Sequence, residues 1–541
     1  MKSRLLVVGL IFGLAYSFLL FNLYKLQIAD GQIYSVKAET QNRLSDDYKI
    51  KRGLIYFTYK DGENFPVVLN KEFPVIFAVP KEIDDAAEVT NRLNLAIEGL
   101  PDNLGERLSQ KEDQYELLVR KADSEMVKAI NELGIKGVYV DFQPDRFYPF
   151  GDLGASVLGF VGQSNESGGI SGKYGIESFY EDKLSGQSSK ENTKDGELIV
   201  GENVILTIEP NIQKEAQRII SSLVDEYNAS GGSVIVQEPS TGRILAMENY
   251  PSFDPNNYGR FNFGRFLNPL VQGIYEPGSV FKVITMAAGI DSGKISPETT
   301  YTDYGSLVIS GRTIRNWDLK AHGVATMTNV LEGSINTGAV FAEQQTGNSI
   351  FKSYLENFGF NERSGIDLPG EVEGDLERLQ SNAPEIAFAT ASFGQGVAVT
   401  PIEMINAFST IANGGLMMRP YVNSELGPKE IRSVISSDTA KKVTQMMVSA
   451  VDKAQVGRVN GYSIAGKTGT AQIPDFNNGG YTDKVINTYI GFGPTADPKF
   501  VILIKLNEPA GAPLAGLTVV PAFRELAQFI LNYYNIPPDR I

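Results

Sequence analysis

The chain has 541 residues, too many for one ordinary hydrophobic core, and predicts two or more domains. Its 49 basic and 64 acidic side chains give a formal net charge of −15, and no lysine or arginine cluster interrupts the acidic excess, which argues against a nucleic-acid partner. The chain has no cysteine and one histidine, His322, which excludes disulfides and a cysteine nucleophile and argues against structural zinc. We expect no metal and no cofactor.

The N-terminus combines basic residues with an apolar run. Lys2 and Arg4 precede Leu5–Tyr24, which carries no charged residue. Twenty helical residues span about 30 Å, enough for the core of a bilayer. A cleaved signal peptide is the alternative, but the run is long for one and lacks a small-x-small cleavage site. The sequence therefore predicts a cytoplasmic tail of residues 1–4, one transmembrane helix of residues 5–24 and an exported body.

Residues 25–190 mix strand and helix patterns and predict an α+β domain without a convincing catalytic cluster. Its predicted elements are the strands Pro66–Leu69 and Phe73–Val79 and the helices Asp84–Gly99 and Ala122–Leu133. The polar stretch Gly186–Glu202 marks the boundary with a second predicted domain, residues 200–541.

The second domain has an α/β pattern. Its predicted elements are a hairpin of Ser233–Gln237 and Arg243–Met247, the central strands Thr488–Phe492 and Phe500–Leu506, and a helix Ala522–Tyr534 opened by Pro521. Because strands from both ends of the domain enclose a helical middle, we expect an antiparallel sheet flanked by helices.

Ser279-Val280-Phe281-Lys282 is the first of three polar motifs among small or apolar residues. A turn at Pro277-Gly278 and the apolar run after the motif predict that Ser279 opens a buried helix, where backbone N–H groups favour developing negative charge. Lys282 follows on the same face, and burial would lower its pKa and let it accept the serine proton. The alternative is a capping serine beside an unrelated lysine, since Ser349-Ile350-Phe351-Lys352 has the same spacing.

The second motif is Ser334-Ile335-Asn336. In a loop or at a helix end it could place a hydroxyl that relays a proton to a leaving amine beside an amide that fixes a substrate carbonyl. Taken alone it also fits an ordinary capping or turn cluster.

The third motif, Lys467-Thr468-Gly469-Thr470, predicts an edge strand with Thr468 and Thr470 on one face. Gly469 would let a peptide backbone approach, and the hydroxyls beside an ammonium could receive a carboxylate. The N–H groups of Thr470 and Ser279 could form an oxyanion hole. A turn with a surface lysine is the alternative for this tetrapeptide alone.

The three motifs together supply the groups of a serine acyltransferase that works without histidine. A Ser-His-Asp triad would have to use His322, and no Gly-x-Ser-x-Gly elbow accompanies it. We therefore interpret His322 as structural or gating.

The motif set resembles the class B penicillin-binding proteins, the monofunctional peptidoglycan D,D-transpeptidases. Arg146-Phe147-Tyr148-Pro149, Gly175-Ile176-Glu177 and Ser392-Phe393-Gly394-Gln395-Gly396 extend the resemblance, whereas Arg52-Gly53-Leu54-Ile55 begins like a family segment and then departs from it. The resemblance implies the α/β (α+β) penicillin-binding transpeptidase fold, an antiparallel sheet flanked by helices, with an α+β pedestal or dimerisation-like domain before it.

The resemblance also implies roles for the motif residues. Ser279 would attack the penultimate D-Ala carbonyl of a stem peptide, Lys282 would be the base, and Ser334 would relay a proton with Lys467 as terminal D-Ala leaves. The implied substrate-binding residues are Asn336 for the peptide and Thr468, Gly469 and Thr470 around the terminal carboxylate. An amine of a neighbouring stem would then complete a cross-link, and β-lactams would acylate the same serine.

The implied setting is the bacterial cytoplasmic membrane, with one span and an extracytoplasmic catalytic domain. Expected partners are stem peptides of the lipid-linked precursor and nascent glycan, β-lactams, a separate membrane glycosyltransferase, and proteins of the division or elongation machinery. Asn336 in place of aspartate favours the division type. Two alternatives stay open: a hydrolase, either a D,D-carboxypeptidase or a serine β-lactamase, and a non-catalytic scaffold or penicillin sensor.

Overall fold

A computed structural model describes residues 50–163, 170–186, 199–475, 478–512 and 514–540, together with residues 13, 16–19 and 23. No helix within these ranges is long and apolar enough to cross a membrane. Most of the predicted anchor, residues 5–24, and most of the predicted boundary, Gly186–Glu202, lie outside the described residues.

The strands of the described ranges are β1 Ile50–Lys51, β2 Ile55–Thr58, β3 Asn64–Ala78, β4 Glu116–Val119, β5 Val138–Phe147, β6 Val161–Gln163, β7 Ile170–Gly172, β8 Ile199–Val200, β9 Val204–Ile205, β10 Gly231–Gln237, β11 Ile244–Tyr250, β12 Thr300–Asp303, β13 Ser306–Ile309, β14 Arg312–Arg315, β15 Gly323–Thr326, β16 Leu416–Met418, β17 Glu430–Ser433, β18 Ala465–Pro474, β19 Tyr481–Gly493 and β20 Phe500–Asn507.

The α-helices are α1 Ala86–Ala96, α2 Leu104–Leu108, α3 Ser124–Leu133, α4 Ala155–Leu158, α5 Gly175–Phe179, α6 Glu181–Ser185, α7 Pro210–Glu226, α8 Pro269–Gln272, α9 Lys282–Asp291, α10 Met327–Gly333, α11 Asn336–Thr346, α12 Asn348–Asn357, α13 Glu385–Ala391, α14 Pro401–Ala412, α15 Ser437–Ala454 and α16 Val519–Tyr533. Short 3₁₀ helices occur at Pro80–Glu82, Pro255–Arg260, Phe263–Arg265, Gly278–Phe281 and Ser424–Leu426.

The described chain forms two compact units. The first comprises residues 50–53, 69–147, 185–186 and 199–202, and the second comprises the other residues from 54 onwards.

In the first unit, β5 pairs antiparallel with residues 69–78 of β3, and β4 pairs with residues 76–78. The two predicted helices are confirmed as α1 and α3, which begin after Asp85 and Asp123 because each carboxylate accepts hydrogen bonds from first-turn N–H groups. Their buried side chains include Leu93 and Ile130, which share one apolar core with Ile76 of β3.

The strands predicted at Pro66–Leu69 and Phe73–Val79 are parts of one strand, β3. In the sequence, the polar stretch between them suggests an interruption between two separate strands. In the structure its residues Asn70, Lys71 and Glu72 stay extended because they pair with residues 144–146 of β5. A polar stretch needs no turn when a neighbouring strand satisfies its backbone groups.

The second unit is built on a five-stranded antiparallel sheet in the order β11-β10-β20-β19-β18. The predicted hairpin and the predicted C-terminal strands are confirmed, and the helices from α8 to α15 come between them in the chain. The sheet therefore joins the two ends of the domain, as expected, and β18 forms its edge.

The two faces of this sheet pack against different helices because side chains alternate along each strand. One face contributes Val234 and Ile504 to a core with Phe523 of α16, whereas the other contributes Ile235 and Leu503 to the core of the helical middle. The terminal helix begins at Val519, earlier than predicted, because a proline such as Pro521 is tolerated within the first turn.

Candidate active site

The serine of the first motif lies in a tight turn, not in the α-helix itself. Gly278–Phe281 form one 3₁₀ turn, and α9 starts at Lys282. Gly278 has a φ of +60°, a backbone conformation that residues with a side chain rarely adopt. A Cβ on Gly394 would lie 2.2 Å from the Gly278 carbonyl oxygen, so only a glycine fits there. Two glycines therefore allow the chain to bring Ser279 up to the end of the buried helix.

Lys282 is fully buried at the start of α9 and lies among neutral oxygens. Its Nζ lies within hydrogen-bond distance of four oxygens: Ser279 Oγ at 3.0 Å, Ser334 O at 2.6 Å, Ser334 Oγ at 3.2 Å and Asn336 Oδ1 at 2.8 Å. The first two motifs are thus joined at one amino group.

The electrostatic surroundings of Lys282 favour its neutral form. Burial lowers the pKa of Lys282 well below the usual value, and the nearby charge of Lys467 lowers it further. None of its hydrogen-bond partners is a carboxylate. A lysine in this setting can accept a proton from Ser279.

Ser334 occupies the turn between α10 and α11 with a left-handed backbone, φ 53° and ψ 41°. Its hydroxyl oxygen accepts hydrogen bonds from Lys282 and, at 3.0 Å, from Lys467 Nζ. The hydroxyl therefore links the two buried lysines, which is the position that a proton relay requires.

Asn336 begins α11 with its side chain occupied at both ends. Its Oδ1 accepts from Lys282, and its Nδ2 donates to the Arg315 carbonyl oxygen at 2.9 Å. In this structure the amide holds the lysine, and its contact with a substrate carbonyl stays a prediction.

Lys467 lies on the edge strand β18 and is also buried. It pairs with Ile490 in the register of the sheet, so its side chain shares the face that packs on the helical middle. Its Nζ also donates to Thr468 O at 3.0 Å and, more weakly, to Thr468 Oγ1 at 3.4 Å. Burial lowers the pKa of Lys467 to about 7.

Thr468 and Thr470 alternate with the inward-facing residues of β18 and share a face, as the period of two predicts. The Thr470 hydroxyl oxygen accepts a hydrogen bond from the Ala515 N–H at 3.2 Å. A Cβ on Gly469 would lie 2.8 Å from the Pro277 carbonyl oxygen. The glycine thus admits the serine turn of the protein itself, and the approach of a substrate backbone stays a prediction.

Family models match most of the described chain. The model of the penicillin binding protein transpeptidase domain matches residues 232–528, and that of the penicillin-binding protein dimerisation domain matches residues 49–209. The chain belongs to the class B penicillin-binding proteins. The resemblance seen in the motifs is thereby confirmed, and Ser279 to Thr470 all lie in the transpeptidase domain of this family.

Relatives and solved structures cover most of this class B protein. It is 31% identical to the stage V sporulation protein D of Bacillus subtilis over 85% of this chain and 75% of the relative. It is 28% identical to the peptidoglycan D,D-transpeptidase FtsI homolog of Mesostigma viride over 99% and 97%. The crystal structure of penicillin binding protein 3 of Mycobacterium tuberculosis complexed with ampicillin aligns with a TM-score of 0.69 at 26% identity, covering 90% of this chain and 96% of that one.

Two residues outside the three motifs, Lys352 and His322, have contacts that differ from those of the site residues. Lys352 of the second Ser-x-x-Lys sequence lies in α12 and forms an ion pair with Glu356 at 3.7 Å. The His322 ring lies 3.3 Å from Asp318, and its backbone N–H donates to Asp303. These contacts fit the structural interpretation of His322.

The sequence interpretation missed the residues that hold the Ser334 turn from outside. These are Asp303, Asn316 and Trp317, whose hydrogen bonds reach residues 333–337. No local pattern marks them, because each is separated from its partner by at least 16 residues. The one available signal was that Trp317 is the single tryptophan of the chain.

Proposed function

We propose that this class B penicillin-binding protein is a peptidoglycan D,D-transpeptidase that works through an acyl-enzyme on Ser279. The observation that carries the proposal is the buried Lys282, whose Nζ lies 3.0 Å from Ser279 Oγ and has only neutral oxygen partners. The family match and the relatives named as D,D-transpeptidases support the reaction class.

In the first half of the reaction, neutral Lys282 takes the proton of Ser279 as Oγ attacks the carbonyl carbon of the penultimate D-Ala. The bond from Oγ to carbon forms, and the bond from carbon to the amide nitrogen breaks. The leaving D-Ala amine needs a proton, which Ser334 Oγ can pass on because it contacts both lysines. Terminal D-Ala then departs.

In the second half, the amine of a neighbouring stem peptide attacks the ester carbon. The bond from carbon to nitrogen forms, the bond from carbon to Ser279 Oγ breaks, and the proton lost by the amine returns to Oγ, which completes the cross-link. We propose that Thr468, Gly469 and Thr470 receive the donor carboxylate and that Asn336 contacts the peptide. A β-lactam acylates the same serine because its ring amide stands in for the D-Ala-D-Ala bond. The ampicillin complex of the mycobacterial relative supports this arm of the proposal.

We further propose the cellular setting. Leu5–Tyr24 anchors the protein in the cytoplasmic membrane of a bacterium, and the catalytic domain lies outside it, beside a separate glycosyltransferase. Asn336 in place of aspartate and the likeness to the FtsI homolog of Mesostigma viride favour a division-type role. Imaging of a fluorescent fusion tests this role: signal at midcell supports it, and signal along the side wall contradicts it.

The chemistry is tested with the purified full-length protein and a fluorescent penicillin. We expect labelling of the intact protein, an adduct on Ser279 by mass spectrometry, no labelling of Ser279→Ala and full labelling of the matched control Ser349→Ala. Unchanged labelling of Ser279→Ala would show that Ser279 is not the nucleophile and would contradict the proposed mechanism.

A second assay separates the transpeptidase from the hydrolases. A peptide ending in D-Ala-D-Ala is supplied together with an acceptor amine, and the products are identified by mass. A cross-linked product supports the proposal, a shortened peptide alone indicates a carboxypeptidase, and rapid turnover of the penicillin indicates a β-lactamase.

A further inference from the structure

The turn that carries Ser334 needs support from its surroundings. A non-glycine residue in the left-handed region is strained and keeps this conformation only when neighbouring structure holds it. Both the carbonyl and the hydroxyl oxygen of Ser334 accept hydrogen bonds from Lys282. The position of this turn therefore determines two of the four oxygens around the Lys282 amino group.

Three consecutive residues, Arg315–Trp317, hold this turn, and we call them the clamp. Three of its hydrogen bonds run from Trp317 Nε1–H to Gly333 O at 3.0 Å, from Asn336 Nδ2 to Arg315 O at 2.9 Å, and from the Thr337 N–H to Asn316 Oδ1 at 3.2 Å. The clamp thus bonds the residue before Ser334 and the two residues that begin α11. Movement of the turn in either direction along the chain would break at least one of these bonds.

Asp303 joins the clamp to α11 by accepting hydrogen bonds from both. Its carboxylate is 2% exposed and accepts hydrogen bonds from Thr337 Oγ1 at 2.7 Å and Asn316 Nδ2 at 2.8 Å. The backbone N–H groups of Gly305 and His322 donate to it at 2.9 Å each. Burial alone would raise the pKa of Asp303, but these hydrogen bonds bring it below the usual value.

We propose that the clamp and Asp303 are positioning residues that keep the Ser334 turn where its oxygens can order Lys282 for attack on the substrate. This inference rests on the proposed function, because it assigns these residues to the acylation step. It predicts that loosening the clamp slows acylation after the penicillin has bound, without weakening binding itself.

Trp317→Phe tests the proposal because it removes the indole N–H donor and retains a smaller aromatic ring. The matched control is Tyr304→Phe, in the same segment: Tyr304 is 80% exposed, and its hydroxyl makes no hydrogen bond with the described residues. Acylation is followed at a series of fluorescent-penicillin concentrations, which separates the dissociation constant from the first-order rate of acylation.

For Trp317→Phe we expect the first-order acylation rate to fall about two- to tenfold, the effect of one hydrogen bond, with the dissociation constant and the reactive fraction unchanged. Tyr304→Phe should match the wild type. An unchanged rate in Trp317→Phe, or a loss confined to the reactive fraction, would overturn the positioning role.

Hydrogen exchange of the same three proteins separates this inference from the proposed function. The amides of residues 333–337 should exchange faster in Trp317→Phe than in Tyr304→Phe. If the wild type is not acylated on Ser279, the proposed function fails, and the exchange result alone then decides whether the clamp holds the turn. Equal exchange in the two variants would overturn the clamp.

Discussion

Two segments of this chain share the spacing Ser-x-x-Lys, and their surroundings are opposite. Lys282 is 0% exposed and donates to Ser279 and to two residues of a distant turn. The Lys352 side chain is 33% exposed and lies beside the carboxylate of Glu356. A buried lysine among neutral oxygens loses the solvation that favours its charge, whereas a partly exposed lysine beside a carboxylate keeps some solvent and a counter-charge.

The two serines differ in the same way. Ser279 lies in a 3₁₀ turn that packs on the edge strand at Gly469, whereas Ser349 lies within an ordinary α-helix, α12. Three segments far apart in sequence converge on the first serine. A four-residue motif therefore shows only the spacing of a serine and a lysine. Burial of the lysine and contacts with distant residues are what make that spacing a candidate active site.

The largest effect is expected from Lys282→Ala. Loss of the base should reduce the acylation rate by about 10²–10⁴-fold, the usual contribution of a general acid or base. Stopped-flow acylation with a fluorescent penicillin measures it. A reduction below tenfold would mean that another group takes the serine proton.

Gly469→Ala should come next. The added Cβ would meet the Pro277 carbonyl oxygen at 2.8 Å, and a backbone atom cannot move aside without moving the serine turn. A displacement near 1 Å costs about 10²-fold in rate. The control is Gly259→Ala, where a Cβ meets nothing within 4 Å. Equal acylation rates in the two variants would show that the close approach does not position Ser279.

Lys467→Met should move the pH dependence of acylation. Acylation needs neutral Lys282, so its rate should rise with pH through the pKa of this group. The charge of Lys467 lowers the pKa of Lys282, so its removal should move this rise to higher pH. Rate profiles normalised to their own maxima measure the shift. A rise that stays in place or moves to lower pH contradicts the electrostatic coupling of the two lysines.

Lys352→Ala should have the smallest effect. It breaks one partly exposed ion pair with Glu356, so acylation should be unchanged and the free energy of unfolding should change by less than about 0.5 kcal/mol. Acylation kinetics and urea denaturation measure both. A slower acylation would mean that the second Ser-x-x-Lys sequence communicates with the site.

Much of the fold could be predicted because it depends on local pattern. The short apolar runs in Ser233–Gln237 and Phe500–Leu506 indicate buried strands, and helices α1 and α3 show a 3.6-residue apolar period. The break predicted inside β3 was wrong because the pairing of Asn70–Glu72 with β5 involves residues about 75 positions away. The local strand propensity of a segment does not predict a pairing partner so far away in the sequence.

The amino-acid sequence alone specifies the chemical groups and their order: two serines, two lysines, an amide and two threonines in three short motifs, which sufficed for the family. The packing of the folded chain establishes which lysine is buried, that Ser334 joins Lys282 to Lys467, and that Trp317 and Asp303 bond the residues on either side of Ser334. The reason is physical. The type of each side chain is given by its own position in the sequence. Desolvation and hydrogen-bond geometry depend on distant residues that come into contact only when the sheet and the helices have packed.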